Sequence, residues 1–140
     1  MIGRSAIREH VFILLFESLF NESERMGKQA ENYFEGLDRP VDEESAAFIQ
    51  ERFRLVEDRL PEIDALIDDK SSGWKVSRIG KVELSILRLA IYEMLFDDEV
   101  PQGVAINEAV ELAKKYGQDQ AGSFVNGVLA KFTAKEQGGR

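Results

Sequence analysis

Apolar side chains recur three and four residues apart along almost the whole chain, which is the spacing of one face of an α-helix. No stretch of useful length alternates apolar and polar residues as a half-buried strand does. Turn residues separate about seven helical segments, predicted at about residues 3–20, 23–35, 43–59, 61–67, 79–96, 101–117 and 121–133. Short loops make neighbouring helices antiparallel, so the sequence predicts an all-α fold, most simply two small helical bundles packed together.

The length of 140 residues suits one domain with a sizeable core and is short for two. We expect a single domain at residues 1–135, with subdomains near 1–59 and 60–135, and a flexible tail at 136–140. The lack of cysteine excludes disulfides and thiolate chemistry and fits the reducing cytoplasm. The longest apolar run, VFILLF, is too short to span a membrane, and no signal-peptide pattern precedes it. We therefore expect a cytoplasmic protein without a membrane segment.

The net charge of −8 argues at first against a nucleic-acid partner, but the charge is unevenly distributed. Residues 41–69 hold ten acids and three bases, and residues 91–111 hold six acids and no base. Residues 70–90 instead hold five bases and one acid, and residues 112–140 hold five bases and two acids. An acidic protein can therefore still carry a local basic face that attracts phosphate.

Residue patterns that support catalysis are missing from the sequence. There is no phosphate-cradling glycine loop, no nucleophile elbow and no metal-ligand spacing. His10 is the only histidine, and its position fits a partly buried ring better than a ligand or a base. The many carboxylates fall on the solvated faces of the predicted helices. We therefore expect a protein that is not an enzyme and that uses no metal or cofactor.

The first predicted helix places Arg4, Arg8, Phe12 and Phe16 in a single row of four-residue steps. Two guanidinium groups thus lead into two aromatic rings. Arginine suits phosphate because its planar fork donates two hydrogen bonds at once. Two arginines at a helix rim are usually only solvated, so this row by itself is a weak signal.

The last predicted helix, in SFVNGVLAKF, has a glycine at its centre, which costs a helix roughly 1 kcal/mol against alanine. Phe124 falls at the edge of the apolar arc, beside Gly127 and Lys131. A ring next to bare backbone and an ammonium group is a common arrangement for holding single-stranded bases. Alternatively, Gly127 admits a neighbouring helix and Phe124 is an ordinary core residue. The sequence leaves both interpretations open.

Glu83 projects into the apolar arc of the helix predicted at residues 79–96. A buried carboxylate without a partner is costly. Either Glu83 reaches water at the first turn, where the helix dipole favours a negative charge, or it awaits a cation from another protein. Neither interpretation is favoured at this point.

Three segments, RIGKVELSILRLAIYEM, VPQGVAINEAVELAKKYG and SFVNGVLAKF, resemble the NusB family of transcription antitermination factors. The opening RSAIREHVFILLFE is similar to the arginine-bearing first helix of that family, and the likeness covers about residues 3–133. The resemblance implies an all-helical fold of two bundles. It also implies binding to the boxA element of nascent RNA, together with NusE, a small-subunit ribosomal protein, within the antitermination complex of RNA polymerase. Some family members are similar to homodimers, and the sequence does not decide whether this chain is one.

Carried over by position, the resemblance implies an RNA surface of Arg4, Ser5, Arg8, Gln120, Ser123 and Phe124, and a NusE surface that includes Phe16 and Glu83. This requires the opening and closing helices to meet in one cationic, ring-bearing cleft. Relatives often carry more N-terminal arginines, a tyrosine where Phe16 stands and a basic residue at Ser123. With few phosphate contacts, RNA binding alone is expected to be weak and salt-dependent, so we hypothesise a composite site that NusE completes.

Two other interpretations remain open. The chain also resembles the helical RNA-binding domain attached to some ribosomal RNA cytosine methyltransferases, although it has no room for a catalytic half. It could instead be a protein-only adaptor, whose helix at residues 79–96 binds a partner while no RNA is touched.

Overall fold

The computed structural model describes residues 1–20, 32–37, 39–71 and 73–133, and every regular element within them is helical. The α-helices are α1 (Arg4–Ser18), α2 (Glu43–Asp58), α3 (Leu60–Lys70), α4 (Lys81–Phe96), α5 (Gln102–Tyr116) and α6 (Ala121–Ala130). A short 3-10 helix, Val76–Arg78, precedes α4, and residues 32–35 are helical. The predicted all-α class is confirmed. Most of the helix predicted at 23–35, and the tail predicted at 136–140, lie outside the described residues.

The chain divides into two compact units, Met1–Glu57 and Asp58–Arg140. The first unit contains α1 and nearly all of α2, and the second contains α3 to α6. In the described part of the chain, no helix is both long enough and apolar enough to cross a bilayer.

The first unit ties the start of the chain to the start of α2. The Ser45 hydroxyl accepts a hydrogen bond from the Ile2 amide at 2.9 Å and donates one to the Asp42 carboxylate at 2.6 Å. Asp42 also accepts the Ser45 amide at 3.0 Å, as a helix-capping side chain does. These hydrogen bonds lower the pKa of the Asp42 carboxyl. The residues just before α1 are therefore held in place by α2.

In the described part of the first unit, most of the core comes from the apolar faces of α1 and α2. The fully or almost fully buried side chains are Ile7, Val11, Phe12, Leu14 and Leu15 of α1 and Ile49, Phe53 and Val56 of α2. They recur at the three- and four-residue steps that the sequence pattern predicts. One side of α1 is thereby fixed against the core, and its exposed residues, 4–6, lie in the first turn.

The second unit is built around α4. Eleven consecutive residues of this helix, from Leu84 to Met94, are buried. A helix that is buried all round its circumference has to be enclosed by neighbours, and α3, α5 and α6 all contact α4. Helices α5 and α6 also pack closely against each other. This packing leaves the outer face of α6 open.

Candidate nucleic-acid interface

Helix α6 buries one side and presents the other to solvent. Its buried side chains are Ala121, Val125, Val128 and Leu129, and Phe132 beyond the helix end is fully buried. Gln120, Ser123, Asn126 and Gly127 are exposed, and Phe124 is half-buried at the border of the two sides. The arrangement follows the predicted helical wheel, which also places Phe124 at the edge of the apolar arc. The three residues that the resemblance assigned to RNA in this unit therefore lie on or beside one open face.

Gln120 immediately precedes α6 in an unusual backbone conformation. Among the residues described, it is the only non-glycine with a positive φ, at 77°. Its carbonyl accepts the Phe124 amide at 2.9 Å and so begins the helix. A left-handed residue costs backbone free energy unless its surroundings fix it, and this tight turn is what lets α6 follow closely after α5.

An open groove of about 680 Å³ runs between α5 and α6. It is lined by Gly103, Ile106, Asn107, Val110, Lys114, Gln120, Gly122, Ser123 and Asn126. The lining thus includes Gln120 and Ser123, two of the residues predicted to touch RNA. Amides, a hydroxyl and an ammonium group can all hydrogen-bond to the edges of bases or to phosphate oxygens. The groove therefore combines groups that can hydrogen-bond to a nucleotide with the apolar side chains of Ile106 and Val110.

The ring of Phe124 contacts a residue that sequence reasoning missed. The rings of Trp74 and Phe124 lie with their centroids 5.3 Å apart and their planes at 77°, an edge-to-face contact. Trp74 is 50% exposed. The only sequence signal for it is a lone tryptophan within the basic segment at residues 70–90. The open face of α6 thus ends in a pair of aromatic rings.

Gly127 is exposed, and a Cβ atom built on it would meet nothing within 4 Å in the described part of the chain. The idea that this glycine admits a tightly packed neighbouring helix therefore does not hold among those residues. The interpretation that it leaves space for an approaching ligand remains a hypothesis.

In the first unit, the predicted RNA residues differ in exposure. Arg4 and Ser5 begin α1 and are exposed, whereas Arg8, one turn further, is only 8% exposed. Arg4 can therefore reach a phosphate directly. Arg8 is mostly covered, so the row of two solvated arginines expected at the helix rim is reduced to one.

Phe16, predicted to contact the partner, belongs to a row of three rings on α1 and the residues after it. Its ring lies 6.4 Å from that of Phe12, which is buried, and 5.3 Å from that of Phe20, which is 61% exposed. The row therefore leads from the core of the first unit to an exposed apolar ring.

Glu83 lies in the first turn of α4 and is half-buried. Its carboxylate occupies the space beside Gly80 and lies 3.2 Å from the point where a Cβ on Gly117 would be. The helix start and the partial exposure agree with the interpretation that Glu83 reaches water, where the helix dipole stabilises its charge. That Glu83 meets a cation of a partner stays a prediction.

The structure thus brings Gln120, Ser123 and Phe124 together in the second unit, and Arg4 and Ser5 together at the start of α1 in the first. That the two groups form one continuous cleft stays a prediction.

Comparison with known proteins identifies a family. Residues 5–134 match the model of the NusB family. The transcription antitermination protein NusB of Agathobacter rectalis is 52% identical over 129 residues, which cover 92% of this chain and 98% of that protein. NusB of T. maritima has a similar structure, with a TM-score of 0.79 and 34% identity over 93% of this chain and 89% of that one. A crystal structure of the antitermination factors NusB and NusE in complex with dsRNA matches with a TM-score of 0.74 and 25% identity, covering 96% of each chain.

Proposed function

Because this chain belongs to the NusB family, we propose that it is a transcription antitermination factor that binds boxA-containing RNA together with NusE. The observation that carries the proposal is the match to NusB proteins along almost the whole length of both chains. A related protein with the same fold has been crystallised with NusE and RNA, which supports both partners. The factor acts within the antitermination complex of RNA polymerase.

The described residues support separate roles in RNA binding, with different side chains contacting phosphate and bases. Arg4 donates to phosphate, because its guanidinium is exposed at the start of α1. Phe124 offers a ring for stacking at the edge of α6, and Gln120 and Ser123 offer hydrogen bonds from the groove beside it. Hydrogen bonds to the edges of bases supply sequence preference, and stacking adds affinity with little regard to sequence. The phosphate contact supplies affinity that falls with salt.

The NusE surface that we propose includes Phe16 and Glu83. Phe16 belongs to the ring row that ends in exposed Phe20, and Glu83 offers a half-exposed carboxylate to a basic side chain of the partner. Since Arg8 is mostly buried, this chain offers few exposed N-terminal cations to RNA. Because these cations are few, we propose a composite site in which NusE adds further contacts to the RNA.

This function needs binding and no chemical step, so we propose that the protein is not an enzyme. Its RNA and protein partners belong to the bacterial transcription machinery, so we place it in the cytoplasm.

The test is a titration of boxA-containing RNA against a scrambled RNA of equal length, with and without purified NusE, at two salt concentrations. We expect preference for boxA, tighter binding with NusE and weaker binding at high salt. Arg4→Ala and Phe124→Ala should each weaken binding, whereas Phe48→Ala, which removes an exposed ring on the acidic helix α2, should not. Equal affinity for the two RNAs in the presence of NusE would refute the function. Equal boxA affinity with and without NusE would refute the composite site alone.

A further inference from the structure

Trp74 is the single tryptophan of the chain, and it lies in the loop between α3 and the 3-10 helix with half of its surface exposed. Tryptophan has the largest apolar side chain, and leaving it in water forfeits free energy that burial would supply. An exposed tryptophan next to a proposed binding surface is therefore a candidate contact for a ligand.

The loop that carries Trp74 is anchored at both ends. Before it, the buried Ser71 donates its hydroxyl hydrogen bond to the Trp74 carbonyl, and Gly73 takes the left-handed φ of 93° that the turn requires. After it, the Asp68 carboxylate accepts the Val76 amide at 2.8 Å. The backbone at Trp74 and Val76 is thus held by hydrogen bonds, and a held backbone loses less conformational entropy when its side chain binds.

Trp74 also continues the aromatic edge of the α6 face. Its contact with Phe124 is nearly perpendicular, at 77°, so neither ring lies flat over the other. Half of Trp74 remains accessible beside a ring already proposed to stack on RNA. Bases stack on such rings with little regard to sequence, because each base has a flat π face.

The charge around Trp74 favours RNA over an apolar protein segment. Lys75 donates to the Asp68 carbonyl at 3.3 Å, and the Lys70 ammonium lies 5.9 Å from the centre of the Phe132 ring. Both of these partners are neutral groups, and the Asp68 carboxylate, which accepts the Val76 amide, adds one negative charge nearby. The segment at residues 70–90, which contains Trp74, carries five bases and one acid, and this suits a base that is attached to phosphates.

We propose that Trp74 is a base-stacking residue that extends the RNA surface beyond Phe124 by one nucleotide. The proposal rests on the proposed RNA-binding function and adds a residue to the same site.

The chain's own fluorescence gives the first test, because all tryptophan emission comes from Trp74. Titration with boxA RNA should quench or shift this emission with the same midpoint as binding measured on labelled RNA. Unchanged emission at saturating RNA would overturn the proposal. A change produced by NusE and not by RNA would also overturn it, since Trp74 would then serve the protein partner.

Two substitutions separate stacking from support of Phe124. Trp74→Leu keeps an apolar group against Phe124 but removes the flat ring, and it should weaken RNA binding by about tenfold or more. Trp74→Phe keeps a ring and should retain most of the affinity. Phe48→Leu is the matched control for an exposed ring, and circular dichroism confirms that each variant is folded.

Trp74→Leu and Trp74→Phe with equal affinity for RNA would overturn the proposal, because the flat ring would then not matter. The failure of the function itself looks different: the unmodified protein would not distinguish boxA from scrambled RNA. If the unmodified protein does distinguish them and Phe124→Ala weakens binding, the outcome at Trp74 judges this inference alone.

Discussion

Replacing Gly127 by alanine should stabilise the protein. Gly127 lies inside α6, where glycine costs about 1 kcal/mol against alanine in free energy of unfolding. The new methyl group would meet nothing within 4 Å among the described residues, so no clash offsets this gain. A gain of about 1 kcal/mol raises the melting temperature of a chain of this size by about 4 °C.

The matched control is Gly117→Ala, which inserts the same methyl group where there is no space. A Cβ there would lie 2.5 Å from the Cβ of Ala121 and 2.8 Å from the Ala113 carbonyl oxygen. Because one of these atoms belongs to the backbone, relief requires a shift of the turn between α5 and α6. We expect a loss of about 1–3 kcal/mol.

Urea unfolding followed by circular dichroism measures both changes on the same scale. If Gly127→Ala were less stable than the unmodified protein, the reasoning from open space would be refuted. Gly127→Leu then tests the ligand hypothesis: it should fold normally yet bind boxA RNA more weakly. Unchanged RNA affinity of Gly127→Leu would show that nothing approaches this part of the backbone.

Three further predictions concern other residues. Buried Arg88 donates two hydrogen bonds to the Asp64 carboxylate, at 2.9 and 2.7 Å. Asp64→Ala leaves this buried charge without its partner, so it should lower the free energy of unfolding by about 3 kcal/mol in urea. A loss below about 1 kcal/mol would contradict this. Burial lowers the pKa of His10, so the unfolded chain binds a proton at this residue more readily than the folded chain does. The free energy of unfolding should therefore fall as the pH drops below 6.5, which urea unfolding at pH 7.5 and 5.5 measures. The same pH effect in His10→Gln would refute this assignment. Arg4 is exposed, so Arg4→Ala should weaken RNA binding without changing the melting temperature. Arg8 is mostly buried, so Arg8→Ala should lower the melting temperature through lost packing. The reverse pattern would show that exposure does not separate the roles of the two residues.

Helical periodicity predicted most of the fold, because each helix buries one face and that face is visible in the spacing of apolar residues. Gly117 was predicted as the end of a helix and does cap α5. The proline predicted to open a helix lies in the first turn of α3, but that helix continues to Lys70, three residues past the prediction. Local sequence signals thus fix helix starts better than helix ends.

The parts of the candidate site that were missed depend on contacts between distant residues. Trp74 meets Phe124 across 50 positions, and a periodic pattern contains no information on such a pair. Arg8 falls at the rim of a helical wheel, where the wheel alone does not decide whether the side chain is covered. The groove beside Gln120 likewise arises only from the packing of α5 against α6.

The second unit has an enclosed helix, α4, that tolerates few substitutions, and an outward side of α6 that tolerates more. Amide hydrogens of α4 should exchange with solvent only when the whole unit opens, because α3, α5 and α6 all contact it. A polar substitution at any of its eleven enclosed positions would disturb several neighbours at once. The outward side of α6 is not enclosed in this way, so the residues that we propose to meet RNA can be substituted while the packed helices stay the same.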